Sequence, residues 1–215
     1  MWDEPIAVEK GSMRIYESLK RTGDILLAGL GLLVSLPLWG LIAVAIRLDS
    51  RGGVFFAHER VGRYGRPFKV LKFRTMVPEA PKRGSAITAG NDPRITRVGR
   101  ILRKTKLDEL PQLWNVLKGE MSLVGPRPEV AQYVQLYPEP ARRYILSVPP
   151  GITGVTQIRY RNEERLLAEQ ADPETYYREV LLPQKIASDL EYVRTRSLAT
   201  DVRLLLETVV AVLLR

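Results

Sequence analysis

Two adjacent acidic residues, Asp108 and Glu109, directly follow a strongly basic run, and a rigid GPRP segment lies beyond them at 125–128. A carboxylate surrounded by arginines stays ionised and can act as a nucleophile or as a metal ligand. A neighbouring acid can share a divalent cation with it or move a proton. The arginines would then bind a phosphorylated substrate, because the guanidinium group matches the geometry of phosphate.

The same pair also has a purely structural interpretation. Apolar residues recur at helical spacing after it, which predicts a short helix over Glu109–Leu117 with Asp108 as its N-cap. Acidic side chains are favoured at a helix N-terminus because they complement the helix dipole. Spacing alone favours this structural interpretation, and the chemical one is the more specific.

Composition restricts the class of protein. The chain has 215 residues, a formal net charge of +9, one histidine and no cysteine. The length fits one domain with an appended segment, and no disulfide can form. Any metal would be a hard cation held by carboxylates and phosphate oxygens, since zinc ligands are lacking. The positive charge predicts anionic partners such as phosphates, nucleic acid or acidic lipid.

An uncharged segment, Ile25–Ile46, is long enough for a membrane-spanning helix. Pro37 lies in its middle and removes a backbone hydrogen bond, and Ser35 is placed to satisfy a freed carbonyl. Lysines and arginines flank both ends, and such residues favour the cytoplasmic side of a membrane. A helix broken at Pro37 that enters and leaves on that side satisfies both ends. A kinked single-pass helix is the alternative, and re-entrant segments are the rarer type.

The remaining sequence mixes short strand patterns with helical ones. Val54–Ala57 and Phe68–Phe73 are predicted as strands joined by a basic turn, and residues 77–91 as a loop. Asp92 is predicted to cap a basic amphipathic helix that begins at Pro93. This helix suits either a membrane surface with anionic headgroups or packing against a core.

Further segments have less specific patterns. Pro149–Gly154, PPGITG, is predicted as a second rigid turn, whose glycines either admit a ligand or only form the turn. The lone His58 is interpreted as structural. Two helices are predicted at the C-terminus, Pro173–Arg196 and Leu198–Leu214, and the second lies either in a membrane interface or over the core.

Taken together, the motifs resemble those of bacterial sugar transferases, the monotopic phosphoglycosyl transferases. The resemblance extends from the membrane segment to the C-terminus, and its middle motif is highly specific. It rests on HERVGRYGRPFKVLKFRTM (58–76), DPRITRVGRILRKTKLDELPQLWNVLKGEMSLVGPRPE (92–129) and PGITG (150–154). We therefore expect an α+β fold, mainly α, with a re-entrant helix-break-helix membrane segment, amphipathic interfacial helices and a small β-hairpin.

The resemblance implies a reaction. A UDP-sugar donates its sugar-1-phosphate to undecaprenyl phosphate, UMP is released, and the polyprenyl diphosphate sugar initiates exopolysaccharide, O-antigen or glycoprotein glycan assembly. Asp108 matches the nucleophile of a covalent phosphosugar intermediate, and Glu109 matches an acid that activates the lipid phosphate or places the metal. The implied cofactor is Mg²⁺, with Asp108 as ligand and Glu109 as a candidate second ligand. Lys72, Arg103 and Arg127 match phosphate-binding residues.

The resemblance also implies an organisation. Residues 1–50 form an N-terminal amphipathic and re-entrant helix with its break at Ser35 and Pro37, which favours the re-entrant path over the single-pass one. Residues 51–215 form a catalytic domain with interfacial helices on the cytosolic face of the inner membrane. The chain has no counterpart of the additional N-terminal transmembrane domain of larger members, so it is similar to the minimal catalytic form. Membrane lipid is an expected partner, nucleic acid is not, and an oligomer is compatible with the sequence.

The sequence departs from the family pattern after PGITG. It reads VTQIRYRNEE where many members have W-Q-V-x-G-R-N, and Gln157, Arg161 and Asn162 are the candidate counterparts. This region bears on donor choice, so the identity of the sugar stays open. Two other classes of function compete with the enzyme. A membrane-anchored scaffold for acidic lipids explains the charge but not the acidic pair, and a nucleic-acid binder lacks a recognised motif.

Overall fold

The structure is a computed structural model that describes residues 10–80 and 92–213. Most of the loop predicted over 77–91, namely residues 81–91, lies outside the described residues. The described part is mainly helical and contains two small two-stranded sheets. The strands are β1 (Phe55–Val61), β2 (Pro67–Phe73), β3 (Ser122–Val124) and β4 (Gly151–Thr153). The helices are α1 (Lys10–Asp49), α2 (Arg97–Thr105), α3 (Gln112–Lys118), α4 (Ala131–Val134), α5 (Glu139–Ile145), α6 (Val155–Arg159), α7 (Glu163–Ala168), α8 (Pro173–Tyr176), α9 (Leu182–Thr195) and α10 (Leu198–Leu213).

Helix α1 has 40 residues and contains the apolar segment. Over Met13–Asp49 it includes an 18-residue window with a mean hydropathy of 2.3, of which only 11% is buried. By length and composition α1 can therefore cross a membrane, and its low burial differs from that of a core helix in a soluble protein. This supports the predicted membrane association.

Pro37 lies inside α1, and the helix continues across it, so the predicted break does not appear as an interruption. Because proline has no N–H, the carbonyl of Leu33 loses its usual partner. The Ser35 hydroxyl donates instead to the carbonyl of Leu32 over 3.3 Å and accepts a hydrogen bond from the Trp39 indole over 3.1 Å. Ser35 thus bonds the carbonyl one residue before the freed one, and that detail of the prediction is wrong.

Strands β1 and β2 form the predicted hairpin, with Phe56 paired to Lys72 and Arg60 to Phe68. β1 begins one residue later than expected and extends to Val61 instead of Ala57. The extension includes charged residues that a single-strand pattern does not favour, but their backbone groups pair with β2. The hairpin thus places Lys72 beside the acidic pair.

The predicted cap of α2 is wrong. The helix begins at Arg97, and its N-cap is Thr96, whose hydroxyl accepts from the backbone N–H of Gly99 over 3.0 Å. The Asp92 carboxylate instead accepts from the backbone N–H of Arg94 over 2.9 Å and pairs with its guanidinium over 2.6 Å. Asp92 therefore closes a local turn upstream of the helix.

Asp108 is not a helix N-cap either. Residues Leu107–Glu109 form one turn of 3₁₀ helix, and α3 begins only at Gln112, after Pro111. Lys106 adopts a left-handed conformation, with φ of 59°, which ends α2 and reverses the chain before the acidic pair. This turn orients Asp108 inward, and the predicted N-cap role of Asp108 is wrong.

The PPGITG segment contributes strand β4, which pairs in parallel with β3. The backbone N–H of Gly125 donates to the carbonyl of Thr153 over 2.9 Å, and that of Gly151 donates to Pro126 over 2.8 Å. A Cβ added to Gly151 would lie 2.1 Å from the Gly125 nitrogen. The glycines therefore let two backbones touch, and they hold the GPRP turn in place.

Buried side chains connect α1 to the rest of the chain at two places. Ala28 packs with Val70 and Val116, near the N-terminal half of the helix. Ile42 and Ile46, near its C-terminal end, pack with residues of β2 and α2. In the C-terminal region, α8, a π-helical turn and α9 follow one another without a gap from Pro173 to Thr195, which confirms the helix predicted over 173–196, and α10 matches the second predicted helix.

Candidate active site

Asp108 is buried, with 5% of its surface exposed. Among the described residues its Oδ1 atom has no hydrogen-bond partner. Leaving a buried polar group unpaired costs on the order of 1–3 kcal/mol, so such atoms are rare in native proteins and call for an explanation. Burial, together with the charge of Glu109, raises the pKa of Asp108 above its usual value of 3.8, and Lys72 is the largest opposing influence.

Glu109 has the opposite environment. Its carboxylate pairs with the Lys72 ammonium over 2.8 Å. Burial alone would raise the pKa of Glu109, but Lys72, Arg127 and Lys106 outweigh it and hold the pKa at about 2. Glu109 is therefore ionised throughout the physiological range, whereas its neighbour keeps one oxygen without a partner.

Arg127 reaches the site from the GPRP turn, which β4 holds in place. Although burial alone would lower the pKa of Arg127, the carboxylates of Glu109, Glu163 and Glu129 raise it, so the guanidinium is fully charged. Within the described ranges this guanidinium forms no hydrogen bond and no ion pair shorter than 4.0 Å. Its donors are therefore available to a bound anion.

Arg103 lies in the last turn of α2 and is less closely associated with the acidic pair than Lys72 and Arg127 are. Its charge helps to lower the pKa of Asp108, but its guanidinium contacts Glu164 of α7 over 3.2 Å. The contact is an ion pair without a well-aligned hydrogen bond, since the buried Nη1 atom has no hydrogen-bond partner in the part of the chain that the structure describes. The structure thus brings Lys72 and Arg127 to the acidic pair and leaves Arg103 beside a competing carboxylate.

A fourth cation, Lys106, is not among the predicted phosphate-binding residues. Its charge acts on both Asp108 and Glu109. Its ammonium has no hydrogen bond or ion pair within the described part of the chain. In the sequence, Lys106 is one of several cations in a basic run, and only its position two residues before Asp108 distinguishes it.

Behind the site lies a second acidic group centred on Glu129, which sequence reasoning also missed. Its carboxylate accepts from the Tyr177 hydroxyl over 2.9 Å and pairs with Lys185 over 3.1 Å and with Arg60 over 3.5 Å. Lys185 also pairs with Glu163 over 3.1 Å. Burial raises the pKa of Glu129, but Lys185, Arg60 and Arg127 together lower it below its usual range.

Four further residues that the sequence analysis considered are His58, Gln157, Arg161 and Asn162. The His58 ring nitrogen accepts a hydrogen bond from Arg60 over 3.4 Å, which supports its structural interpretation. The Gln157 amide donates to the carbonyls of Gly151 and Gly125 over 3.2 and 3.4 Å, so it joins the PGITG and GPRP segments. Arg161 and Asn162 precede α7, and their part in donor choice stays a prediction.

No three His, Asp or Glu side chains among the described residues come together as a metal cage. Mg²⁺, however, is commonly held by one or two carboxylates together with substrate phosphates and water. The free Oδ1 of Asp108 and the adjacent Glu109 provide such a donor set. The residues present therefore fit a magnesium ion shared with a phosphorylated substrate.

The acidic pair, its cations and the long apolar helix fit a membrane-associated site for phosphorylated substrates. The family model described as "Bacterial sugar transferase" matches residues 15–215. The chain belongs to this family, which confirms the predicted family and the prediction of an enzyme.

Particular relatives define the similarity more closely. The exopolysaccharide production protein ExoY of Rhizobium meliloti (strain 1021) is 39% identical over 225 residues, which cover 97% of this chain and 92% of the relative. The UDP-glucose:undecaprenyl-phosphate glucose-1-phosphate transferase of Caulobacter vibrioides is 41% identical, covering 90% of this chain and 69% of the relative. A protein of the same name from Escherichia coli K12 is 43% identical, covering 89% and 39%, respectively.

Proposed function

We propose that this protein transfers a sugar-1-phosphate from a UDP-sugar to undecaprenyl phosphate, with Asp108 as the nucleophile, and so initiates polysaccharide synthesis. The observation that carries the proposal is the buried Asp108 oxygen without a partner among several cations. Such an oxygen breaks no hydrogen bond before it attacks, and the cations attract a diphosphate. The names of two relatives, which contain UDP-glucose and undecaprenyl phosphate, support these substrate classes.

The proposed reaction has two displacement steps at one phosphorus atom. First, an Asp108 carboxylate oxygen bonds to the phosphorus that carries the sugar, and the bond from that phosphorus to the UMP oxygen breaks, its electron pair leaving with UMP. Second, a phosphate oxygen of undecaprenyl phosphate bonds to the same phosphorus, and the bond to Asp108 breaks, which restores the carboxylate. A covalent intermediate lets one site serve a water-soluble donor and then a lipid acceptor.

In this reaction Glu109 is best suited to remain ionised and to position cations. A group with a pKa of about 2 is a weak base, because it gives up a proton readily at neutral pH. Its contact with Lys72 keeps that ammonium at the site, where the arriving phosphate can share it. We therefore assign Glu109 to the placement of Lys72 and of a metal ion in preference to proton transfer.

Mg²⁺ fits the site as a cofactor held by Asp108 and Glu109 together with the donor diphosphate. When bound, it supplies positive charge that offsets the negative charge of the diphosphate. The chain's own residues provide the rest: Arg127 and Lys72 orient the phosphates, and the turn at 107–109 fixes the attacking oxygen.

The membrane path of α1 is proposed to be re-entrant. Arg21 donates to the carbonyls of Val116 and Leu117 over 2.6 and 2.8 Å, and Asp49 accepts from the backbone N–H of Val98 over 2.8 Å. These two anchor points are separated by roughly 40 Å of helix at 1.5 Å per residue, enough to cross a bilayer core of about 30 Å. Because both anchor to consecutive elements of one domain, both ends of α1 belong on one side, and a bend at Ser35 and Pro37 would allow this.

Membrane topology can be tested by labelling, because the chain has no native cysteine. Ser18→Cys lies before the apolar segment, and Gly53→Cys lies after it, where a Cβ meets only a carbonyl 3.7 Å away. We expect neither to react with a membrane-impermeant maleimide in intact spheroplasts and both to react after permeabilisation. Labelling of one position alone in intact cells would show a single-pass helix.

UMP release tests the enzymatic function. The purified protein, in nanodiscs with Mg²⁺ and undecaprenyl phosphate, is given a panel of UDP-sugars that begins with UDP-glucose. We expect UMP from at least one donor and none from the Asp108→Asn variant, and intact mass should show a phosphosugar adduct on the wild type when the acceptor is omitted. Substantial turnover by a folded Asp108→Asn protein would exclude the nucleophilic role, and no turnover with any donor would contradict the function.

A further inference from the structure

We propose that Lys106 binds the phosphoryl group that is transferred, as a substrate-contacting residue in addition to Lys72, Arg103 and Arg127. The inference rests on the proposed function and makes it more specific. It depends on two independent features of Lys106: the unpaired state of its ammonium beside both acids, and the unfavourable backbone conformation that holds it there.

The first feature is the pairing of cations in the site. Lys72 is bound to Glu109 over 2.8 Å, and Arg103 contacts Glu164 over 3.2 Å. Lys106 is solvent-accessible, and within the described residues its ammonium has no hydrogen-bond or ion-pair partner. The backbone places it on the same tight turn as the acidic pair, because the Glu109 N–H donates to the Lys106 carbonyl over 3.2 Å. It can therefore bind an incoming anion without first releasing a partner.

The second feature is the backbone. Lys106 and Tyr64 are the non-glycine residues with positive φ among those described, and Lys106 has a φ of 59°. Side chains with a Cβ are disfavoured there, and glycine is the usual residue at the left-handed end of a helix. The turn alone would therefore be better served by glycine. Strained positions of this kind are concentrated at functional sites, where the surrounding structure maintains them.

The position of Lys106 indicates which phosphate it contacts. The attacking oxygen of Asp108 must approach the sugar-bearing phosphorus to within about 3–3.5 Å. Lys106 starts the turn that carries Asp108, so its ammonium can reach the non-bridging oxygens of that phosphorus, where negative charge is held during transfer. In UDP this phosphorus is the terminal one, and UMP lacks it.

Nucleotide binding separates this contact from general electrostatic attraction. UDP and UMP are titrated into the wild type, Lys106→Met and Lys69→Met, in detergent with Mg²⁺, and Kd is measured by calorimetry. Lys69 is the control, since it is exposed, loses the same charge, and forms no side-chain hydrogen bond or ion pair in the described part of the chain. Loss of a charged phosphate contact should weaken UDP binding about 10-fold to 100-fold in Lys106→Met, with UMP binding within about 2-fold of wild type.

A second variant excludes misfolding as the cause. Lys106→Gly removes the ammonium and relieves the left-handed backbone, so we expect a thermal midpoint equal to or above that of the wild type together with the same loss of UDP affinity. UDP binding by Lys106→Met equal to that of wild type would overturn the inference, as would an equal loss in Lys69→Met. A wild type that binds neither nucleotide would instead overturn the proposed function, and the inference with it.

Discussion

Two neighbouring groups of acids and cations in this molecule differ in how completely they are paired. In the group around Glu129, the carboxylate is satisfied by Tyr177 and Lys185, and the lysine in turn pairs with Glu163. In the group around Asp108, one carboxylate oxygen has no partner, and two cations, Lys106 and Arg127, form no ion pair within the described ranges. We call the group around Glu129 the closed group, because its charges are paired with one another. We call the group around Asp108 the open group, because it retains donors and an acceptor that can bind a ligand.

This difference distinguishes charged groups that stabilise the fold from charged groups that bind a ligand. Fully paired buried charges fix the geometry of a region, because every donor and acceptor has one arrangement that satisfies it. Glu129 follows Arg127 by two residues, so the closed group fixes the backbone from which that arginine extends. Unpaired groups cost stability and are retained where a ligand completes them.

Removing the cation of the closed group should cause the largest loss. Lys185→Met leaves Glu129 buried beside Tyr177 without its principal counter-charge, and breaking a buried ion pair typically costs about 3–5 kcal/mol. For a chain of this length we expect a fall of about 10 °C in the thermal midpoint in detergent. The double variant Lys185→Met/Glu129→Gln should recover most of it. A single variant as stable as the wild type would show that the group does not support the fold.

Asp189 is an exception near the closed group, because its described contacts include a hydrogen bond from the Thr156 hydroxyl but no ion pair. Burial raises the pKa of Asp189 to about 7, against the hydrogen bond from Thr156 and the charge of Lys185. The folded protein thus holds this proton more tightly than the unfolded chain, whose pKa is near 3.8. The resulting stability is fully present below the unfolded value and is lost as pH rises towards 7.

Asp189→Asn should therefore change the pH dependence of stability. Asparagine stays neutral, so the stability of the variant relative to wild type should rise by about 2–3 kcal/mol between pH 5 and pH 7, at about 1.36 kcal/mol per unit. Thermal midpoints measured across this range would show the two curves diverging with increasing pH. Parallel curves would mean that Asp189 does not titrate in this window.

The open group should respond to mutation in the opposite way. Burial raises the pKa of Asp108, so the fold disfavours its charged form, and Asp108→Asn should leave stability unchanged or raise it by up to about 1 kcal/mol while turnover is lost. The same thermal unfolding assay as for Lys185→Met gives the comparison directly. A fall of several degrees in Asp108→Asn would mean that Asp108 supports the fold as Glu129 does.

Local sequence was sufficient for the parts of the molecule that local patterns control. The hairpin, the apolar helix and the C-terminal helices follow from periodicity and from β-branched and aromatic residues, and Lys72, Glu109 and Arg127 meet as the family motifs imply. The predicted first residues of α2 and α3 are wrong, because a tertiary contact or a reversal of the backbone shifts the start of each helix. Thr96 rather than Asp92 caps α2, and the left-handed Lys106 places Asp108 in a tight turn.

The supporting residues could not be found from local sequence, because their partners are far apart in the chain. Glu129 meets Lys185 from 56 residues away, and Arg103 meets Glu164 from 61 residues away. No spacing rule relates such pairs, and a lysine in a helix is normally a surface residue. Only the packing of α7 and α9 behind the GPRP turn brings these charges together.

The contact between Arg103 and Glu164 lies at the boundary between the two groups and gives the smallest predicted effect. Glu164 is about half exposed and holds an arginine that the donor phosphate is expected to need. Exposed ion pairs contribute about 0.2–1 kcal/mol, so Glu164→Gln should lower the KM for the UDP-sugar by about 1.5-fold to 5-fold and leave kcat unchanged.

Glu169→Gln provides a matched control for this change, because it breaks an exposed pair with Arg165 at the end of the same helix. Its KM should equal that of the wild type. If Glu164→Gln raised the KM instead, Glu164 would help to position Arg103 for the substrate, and the contact would belong to the closed group. A lower KM in Glu164→Gln alone would show that the free enzyme holds Arg103 with a carboxylate that the donor phosphate displaces.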